Sequence, residues 1–253
     1  MNTLSALLFD VDGTLAETER DGHRVAFNQA FQQLDLNWDW TVPLYGDLLK
    51  VTGGKERIRY YLQHYLPQEA ALFDTAFISK LHRLKTDIYV DLLDQGKIPL
   101  RSGVARLLKE AMTKHLRLAI ATTTSYDNVA ALLRNTLGEE SIGWFEVIGA
   151  GDIVGAKKPA PDIYHYVLDQ LKLTAKQCIV LEDSNNGLKS AKGAGLATVI
   201  SLSFYTQAED FKGADLVVDD LGEPQQAMQV VAGQLPGYTY INVAALCQVH
   251  LSS

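Results

Sequence analysis

Short runs of apolar, β-favouring residues recur along the chain, and each has the length of a buried strand. Four positions between two of these runs, Val104, Leu107, Leu108 and Ala111, keep the spacing of one face of a helix. Strands that alternate with helices predict an α/β fold with a parallel sheet covered on both faces. The predicted strands span residues 4–9, 116–121, 147–148, 178–181, 198–202 and 216–218.

The region from residue 17 to residue 92 breaks this alternation. It carries helical apolar patterns, such as Phe27 with Phe31 and Ile58 with Leu62, but no convincing strand. We therefore predict an all-helical cap domain over residues 17–92, inserted into a Rossmann-like core formed by residues 1–16 and 93–253. The tail after Gly222 is poorly patterned, and no secondary structure is assigned to it.

Composition narrows the class of protein. The 253 residues include 47% hydrophobic and 21% charged residues, and the formal net charge is -7 without any basic block, which argues against nucleic-acid binding. No apolar run approaches the ~20 residues of a membrane span, and no signal peptide is recognised. Cys178 and Cys247 form no close pair. We therefore expect a cytoplasmic protein, a monomer without a membrane association.

The first strand ends in the most informative motif, Asp10-Val11-Asp12-Gly13-Thr14. Side chains two apart on a strand share a face, so Asp10 and Asp12 point together beyond the strand end. Two such carboxylates repel each other unless a cation lies between them or one holds a proton. The motif therefore predicts a hard-metal site, acid–base chemistry, or both.

Three further polar groups follow later predicted strands or loops, where open parallel sheets bind ligands. They are Thr122 with Thr123 and Thr124, Lys158 before Pro159, and Glu182 with Asp183. A hydroxyl and free backbone N–H groups suit phosphate oxygens, a lysine neutralises developing charge, and several carboxylates suit Mg²⁺. Together they predict phosphoryl transfer in which a carboxylate attacks phosphorus.

These motifs, in this order and spacing, resemble the haloacid dehalogenase superfamily of hydrolases over residues 4–220. The resemblance implies that Asp10 is the nucleophile and a Mg²⁺ ligand. It implies that Asp12 is the general acid and base and lends its backbone carbonyl to the metal. Thr122 and Lys158 would hold the transferring phosphate, and Glu182 and Asp183 would complete the metal site. The helical insertion corresponds to the cap of that family.

Two polar segments of the cap narrow the resemblance. They are residues 17–24, which contain Glu17 and His23, and residues 52–57, which contain Lys55 and Arg57. Both resemble the CbbY subgroup, which implies a phosphorylated sugar as substrate, xylulose 1,5-bisphosphate, losing its 1-phosphate. By this resemblance Glu17 and His23 contact sugar hydroxyls or order the acid/base, and Lys55 and Arg57 hold the distal phosphate. Thr123 and Thr124 are also assigned to the substrate site.

Other interpretations stay open at this point. An exposed helix start explains Lys55 and Arg57 as well, and His23 can be a buried structural histidine. The nearest alternative function is that of a β-phosphoglucomutase, which has the same cap and motifs. A non-catalytic receiver-like module is the distant alternative, although its phosphoacceptor would come from a later strand, where this chain has Thr122.

Overall fold

The core of the protein is one seven-stranded sheet in the computed structural model, which describes residues 3–252. The strands lie in the order β3-β2-β1-β4-β5-β6-β7, and all are parallel except β7, which pairs antiparallel with β6. Their bounds are β1 Ala6–Phe9, β2 Arg117–Ala121, β3 Phe145–Gly149, β4 Cys178–Glu182, β5 Ala197–Ser201, β6 Leu216–Val218 and β7 Val230–Ala232.

The central strands are apolar throughout because helices cover both faces of a parallel sheet. Every residue of β1, β4 and β5 is buried. In the register, Phe9 lies between Ile120 of β2 and Leu181 of β4. The residues that follow these three strands therefore meet at one edge of the sheet, on both sides of the point where the strand order reverses.

Within the described residues, four α-helices of the cap lie between β1 and β2 in the sequence, and five α-helices belong to the core. The cap helices are α1 Arg24–Gln33, α2 Val42–Leu48, α3 Gly54–Tyr65 and α4 Thr75–Asp94, and a π-helical turn, Glu19–His23, leads directly into α1. The core helices are α5 Val104–Thr113, α6 Tyr126–Leu137, α7 Asp162–Leu171, α8 Asn185–Gly193 and α9 Val243–Ser252.

An aromatic cluster forms the interior of the cap. Trp40 is fully buried, with its ring 4.6 Å from Phe27 and 5.1 Å from Phe31, measured between centroids. Such pairs are worth about 0.5–1.5 kcal/mol beyond their area. The two connections to the core lie side by side, since Ala16 bridges Leu100. The cap therefore has a packed interior of its own and a narrow covalent attachment.

The α/β fold with an inserted helical cap is confirmed, and all six predicted strands are present. The tail after Gly222, whose pattern predicts no secondary structure, forms β7 and α9. All three residues of β7 are exposed, and α9 has apolar residues on its exposed side as well, such as Leu251, so neither has the contrast between faces that periodicity detects. Residues 1, 2 and 253 of the predicted core domain lie outside the described residues. Within residues 3–252, no helix combines the length and the apolar character needed to cross a bilayer.

Candidate active site

Lys158 joins two of the carboxylates that follow the central strands. Its ammonium donates hydrogen bonds to Asp10 Oδ1 at 2.7 Å, to Glu182 Oε1 at 2.5 Å and to the carbonyl of Ala121 at 2.8 Å. All three partners lie at the carboxyl ends of β1, β4 and β2, and Lys158 reaches them from the loop before α7. Burial lowers the pKa of Lys158, but Asp10 and Glu182 outweigh it, so the pKa rises and the ammonium stays charged.

Three buried carboxylates, those of Asp10, Glu182 and Asp183, each place an oxygen within 4.8 Å of the others. Burial raises the pKa of Asp10 and of Asp183, and repulsion from Glu182 adds to both shifts. One ammonium cannot balance three negative charges, so this oxygen-only cluster fits a divalent cation. Gly13 makes the cluster possible: its φ is +86°, and a Cβ there would lie 2.1 Å from Asp183 Oδ2.

Two neutral donors form hydrogen bonds with the Glu182 carboxylate. The Tyr164 hydroxyl donates to Glu182 Oε1 at 3.0 Å, and the backbone N–H of Asp183 donates to Oε2 at 3.0 Å. Ser184 begins α8, and its hydroxyl accepts the N–H of Gly187 at 3.1 Å, a helix cap. Sequence reasoning did not include Tyr164, which looks like an ordinary core residue of α7.

Three threonines of the loop after β2 lie beside the carboxylates. Thr122 is buried and lines a small cavity of about 100 Å³ with Asp10, Asp12 and Lys158. Thr123 lines the same cavity and a larger one of about 470 Å³, and Thr124 lines the larger one alone. The structure therefore brings the predicted phosphate-binding residues together around a cavity next to the nucleophile candidate.

Asp12 points away from the acidic cluster and towards the cap. Its Oδ1 accepts a hydrogen bond from the Thr18 hydroxyl at 2.5 Å and lies 2.9 Å from His23 Nε2. Burial alone would raise the pKa of Asp12, but the interactions with His23 and Thr18 outweigh it and hold the pKa below its usual range. Asp12 is therefore ionised at neutral pH. Its partner His23 is 4% exposed, as a buried structural or functional histidine would be.

Lys85, which sequence reasoning missed, contacts His23 on the side of the ring opposite to Asp12. Its ammonium lies 2.7 Å from His23 Nδ1, and because an ammonium has no lone pair, Lys85 donates to that nitrogen. The remaining proton of a neutral His23 then sits on Nε2 and faces Asp12. Burial lowers the pKa of Lys85 to about 8, against the attraction of Glu19 and Asp12. A detectable signal existed: Lys85 interrupts the apolar face of α4 between Leu81 and Ile88.

The structure separates the two glutamates of the first cap segment. Glu19 lines both cavities and accepts the Tyr45 hydroxyl at 2.5 Å, and Arg57 Nη1 donates to the same hydroxyl at 2.8 Å. Glu17, the predicted substrate residue, lines neither of these cavities. It accepts the backbone N–H of Phe204 at 3.2 Å. Residue spacing could not reveal this, because Glu17 lies before the π-helical turn that begins at Glu19, and no pattern marks where that turn starts.

The larger cavity lies between the cap and the core. Lys55 and Arg57 of α3 both line it, as does His23. The Lys55 ammonium is 2.6 Å from Asp152 Oδ2 of the core, whereas Arg57 is buried with its Nε unpaired. Burial lowers the pKa of His82, in the same wall, to about 3, and Lys85 and Lys55 contribute. The lining carries five cationic and five anionic side chains, so an anionic ligand would be met by individual cations, such as Lys55 and Arg57, and not by an overall positive wall.

Comparison with known proteins agrees with this geometry. The family model described as haloacid dehalogenase-like hydrolase matches residues 4–195. The protein CbbY of Cereibacter sphaeroides is 48% identical over 220 residues, which cover 87% of this chain and 94% of that protein.

Solved structures show the same similarity. A crystal structure of a CbbY mutant from Rhodobacter sphaeroides in complex with xylulose-(1,5)bisphosphate superposes with a TM-score of 0.80 at 46% identity, over 86% of this chain and 95% of that one. The β-phosphoglucomutase of Clostridium difficile superposes with a TM-score of 0.71 at 20% identity, over 86% of this chain and 92% of that one, and shares the fold alone.

Proposed function

The chain belongs to the haloacid dehalogenase-like hydrolases, in their CbbY-like subgroup, and is a phosphatase; from that premise we propose that it is Mg²⁺-dependent and converts xylulose 1,5-bisphosphate to xylulose 5-phosphate. The observation that carries the proposal is the placement of Asp10. It lies beside Lys158 and the acidic cluster, at a cavity that Asp12 and Thr122 also line. The similarity to the CbbY that was crystallised with this bisphosphate supports the choice of sugar.

In the first step, a carboxylate oxygen of Asp10 attacks phosphorus, and the bond from phosphorus to the sugar oxygen breaks. Asp12 gives a proton to that leaving oxygen. Lys158 and Thr122 hold the oxygens of the phosphoryl group while its charge is redistributed. The products are an aspartyl phosphate on Asp10 and a sugar monophosphate.

In the second step, Asp12 takes a proton from water, and the water oxygen attacks phosphorus. The bond to Asp10 breaks, and inorganic phosphate leaves. A Mg²⁺ ion held by Asp10, Glu182 and Asp183, with the carbonyl of Asp12, would supply neutralising charge for the phosphoryl oxygens.

Asp12 must be protonated in the first step, although its pKa is low in the free protein. A bound phosphate provides the change, because a nearby negative charge raises the pKa of a carboxyl group. His23 and Lys85 then favour the ionised form again once the leaving group has taken its proton. We propose that these two residues order Asp12.

The second phosphate of the substrate would lie in the larger cavity. Lys55 and Arg57 supply positive charge there, since both side chains line the cavity. Thr123 and Thr124 would contact the sugar between the two phosphates. Glu19, rather than Glu17, is the carboxylate that lines this space and takes the role first proposed for Glu17.

The test is a rate comparison with purified protein and Mg²⁺. Xylulose 1,5-bisphosphate should yield one inorganic phosphate and xylulose 5-phosphate, followed by ³¹P NMR, with a higher kcat/KM than sugar monophosphates. Asp10→Asn should abolish turnover and keep the thermal transition. Conversion of β-glucose 1-phosphate to glucose 6-phosphate without phosphate release would instead identify a mutase.

A further inference from the structure

A chain of charged side chains crosses from the cap to the core at the rim of the larger cavity. Lys55 of α3 contacts Asp152 of the core at 2.6 Å, and Asp152 contacts Lys157 at 2.9 Å. Lys157 in turn contacts Glu56 of α3 at 3.1 Å. The charges alternate in sign, so each inner residue has two partners of opposite charge, and the chain begins and ends on the cap.

The side chains of Glu56 and Lys157 meet directly against the backbone of Gly53. Gly53 precedes α3 with a φ of +95°, and a Cβ there would lie 2.3 Å from Glu56 Oε2 and 2.8 Å from Lys157 Nζ. A glycine at this position therefore leaves the space in which the two side chains meet. The hydrogen bonds from Lys55 and Lys157 also lower the pKa of Asp152 to about 2, which keeps this link charged across the physiological range.

Lys157 directly precedes Lys158 in the chain. Lys157 is held by Glu56 of the cap, while Lys158 reaches inward to Asp10 and Glu182. One peptide unit separates Lys157, which contacts the cap, from Lys158, whose ammonium lies next to Asp10. A displacement of the Lys157 backbone therefore moves the Lys158 backbone as well.

We propose that Lys157 is a positioning residue, which couples contact between cap and core to the placement of the Lys158 ammonium through the Lys55–Asp152–Lys157–Glu56 chain. The proposal rests on the phosphatase mechanism above but not on the identity of the sugar. Its consequence is that loss of the rim contacts reduces the rate of the chemical step at saturating substrate. A rim that only retained substrate would change KM alone.

A double-mutant cycle tests this coupling with Glu56→Gln, Lys157→Gln and the double variant. Exposed or partly exposed ion pairs contribute modestly, so we expect Glu56→Gln to lower kcat up to about fivefold and Lys157→Gln, which breaks two pairs, about tenfold. The double variant should be no slower than Lys157→Gln. The kcat of the wild type should fall with ionic strength, and that of Lys157→Gln should respond less.

The matched control is the ion pair of Arg117 and Glu146, which is also partly exposed, at 2.5 Å, but joins β2 to β3 away from the cavity. The same cycle there should leave kcat unchanged. Additive effects in the first cycle, or a rise of KM with constant kcat, would overturn the proposal.

Assays on both xylulose 1,5-bisphosphate and p-nitrophenyl phosphate separate the proposed coupling from the proposed sugar specificity. If the wild type hydrolysed neither, the phosphatase mechanism itself would fail. Amide hydrogen exchange at residues 53–57 would then test whether Lys157 holds this part of the cap. Equal protection in the wild type and in all variants would overturn the proposal.

Discussion

Replacing Lys85 with methionine should move the pH dependence of turnover to higher pH. The contacts of 2.7 Å and 2.9 Å on the two sides of the His23 ring put the Lys85 ammonium roughly 7 Å from the Asp12 carboxylate. At an effective dielectric constant of about 20, the attraction over that distance is about 2.4 kcal/mol, or about 1.7 pKa units. Removing the ammonium should raise the pKa of Asp12 by up to that amount.

The direction of the shift follows from the proposed role of Asp12. The second step of the proposed mechanism needs the ionised carboxylate, so activity is lost as the pH falls through the pKa of Asp12. A higher pKa therefore moves the acidic limb of the kcat profile upwards in Lys85→Met. Methionine keeps most of the volume of the lysine stem but leaves the buried His23 Nδ1 without its donor, so we expect a folded cap with a lower thermal transition.

The assay is phosphate release at saturating substrate between pH 4 and pH 9, because the negative charge of the phosphoryl group in the occupied site raises the pKa of Asp12 from its low value in the free protein. The substrate phosphate titrates in this range, but equally for both proteins, so the difference between their profiles isolates the enzyme. Lys80→Met is the matched control, because Lys80 lies on the same helix and is exposed. A uniform loss of activity at every pH, without displacement of the acidic limb, would refute electrostatic control of Asp12 by Lys85.

Further predictions concern the acidic cluster. Gly13→Ala should weaken Mg²⁺ binding and reduce kcat at least tenfold, because the new Cβ would overlap the Asp183 carboxylate; isothermal titration measures the affinity. Gly96→Ala, with a φ of +67° but open space, should affect only stability, by about 1 kcal/mol, and equal loss of affinity in both would contradict the steric reason. Without metal, the raised pKa values of Asp10 and Asp183 mean that the folded state binds more protons than the unfolded one, so the thermal transition should fall as pH rises above about 4. Saturating Mg²⁺ should remove that slope in a thermal shift assay, and an identical slope with and without metal would argue against a cation at these carboxylates.

The core motifs could be predicted from the sequence because strand ends are readable. An apolar run fixes where a strand stops, and parallel strands bring their carboxyl ends together, so Asp10, Thr122 and Glu182 had to lie near one another. Lys158 lies in a loop and not at a strand end, so its place at the site was implied by the resemblance of Lys158-Pro159 to the motif of the family. The cap residues were less predictable: Glu19, at the start of a π-helical turn, lines the cavity, whereas Glu17 lies before that turn, and no sequence pattern marks where such a turn begins.

Lys85 and Tyr164 show why some site residues could not be predicted from the sequence. Both are buried residues of helices, Lys85 with a polar partner 62 residues away and Tyr164 with one 18 residues away. No local pattern encodes such a partner, since the pairing exists only after the helix packs. Lys85 could have been suspected as a charge in an apolar face, but a tyrosine in an apolar face is ordinary, so Tyr164 gave no signal.

Asp10 and Asp12 are two residues apart at the end of one strand, yet the residues around them belong to different parts of the molecule. Asp10 is held by Lys158 and Glu182, which belong to the core, whereas Asp12 faces His23 and Lys85, which belong to the cap. Two identical side chains can take different roles when their environments push the pKa values apart. Because the cap supplies the groups that keep Asp12 ionised, its position against the core sets the proton affinity of the proposed acid/base. In the proposed mechanism, the cap therefore takes part in proton transfer in addition to enclosing the substrate.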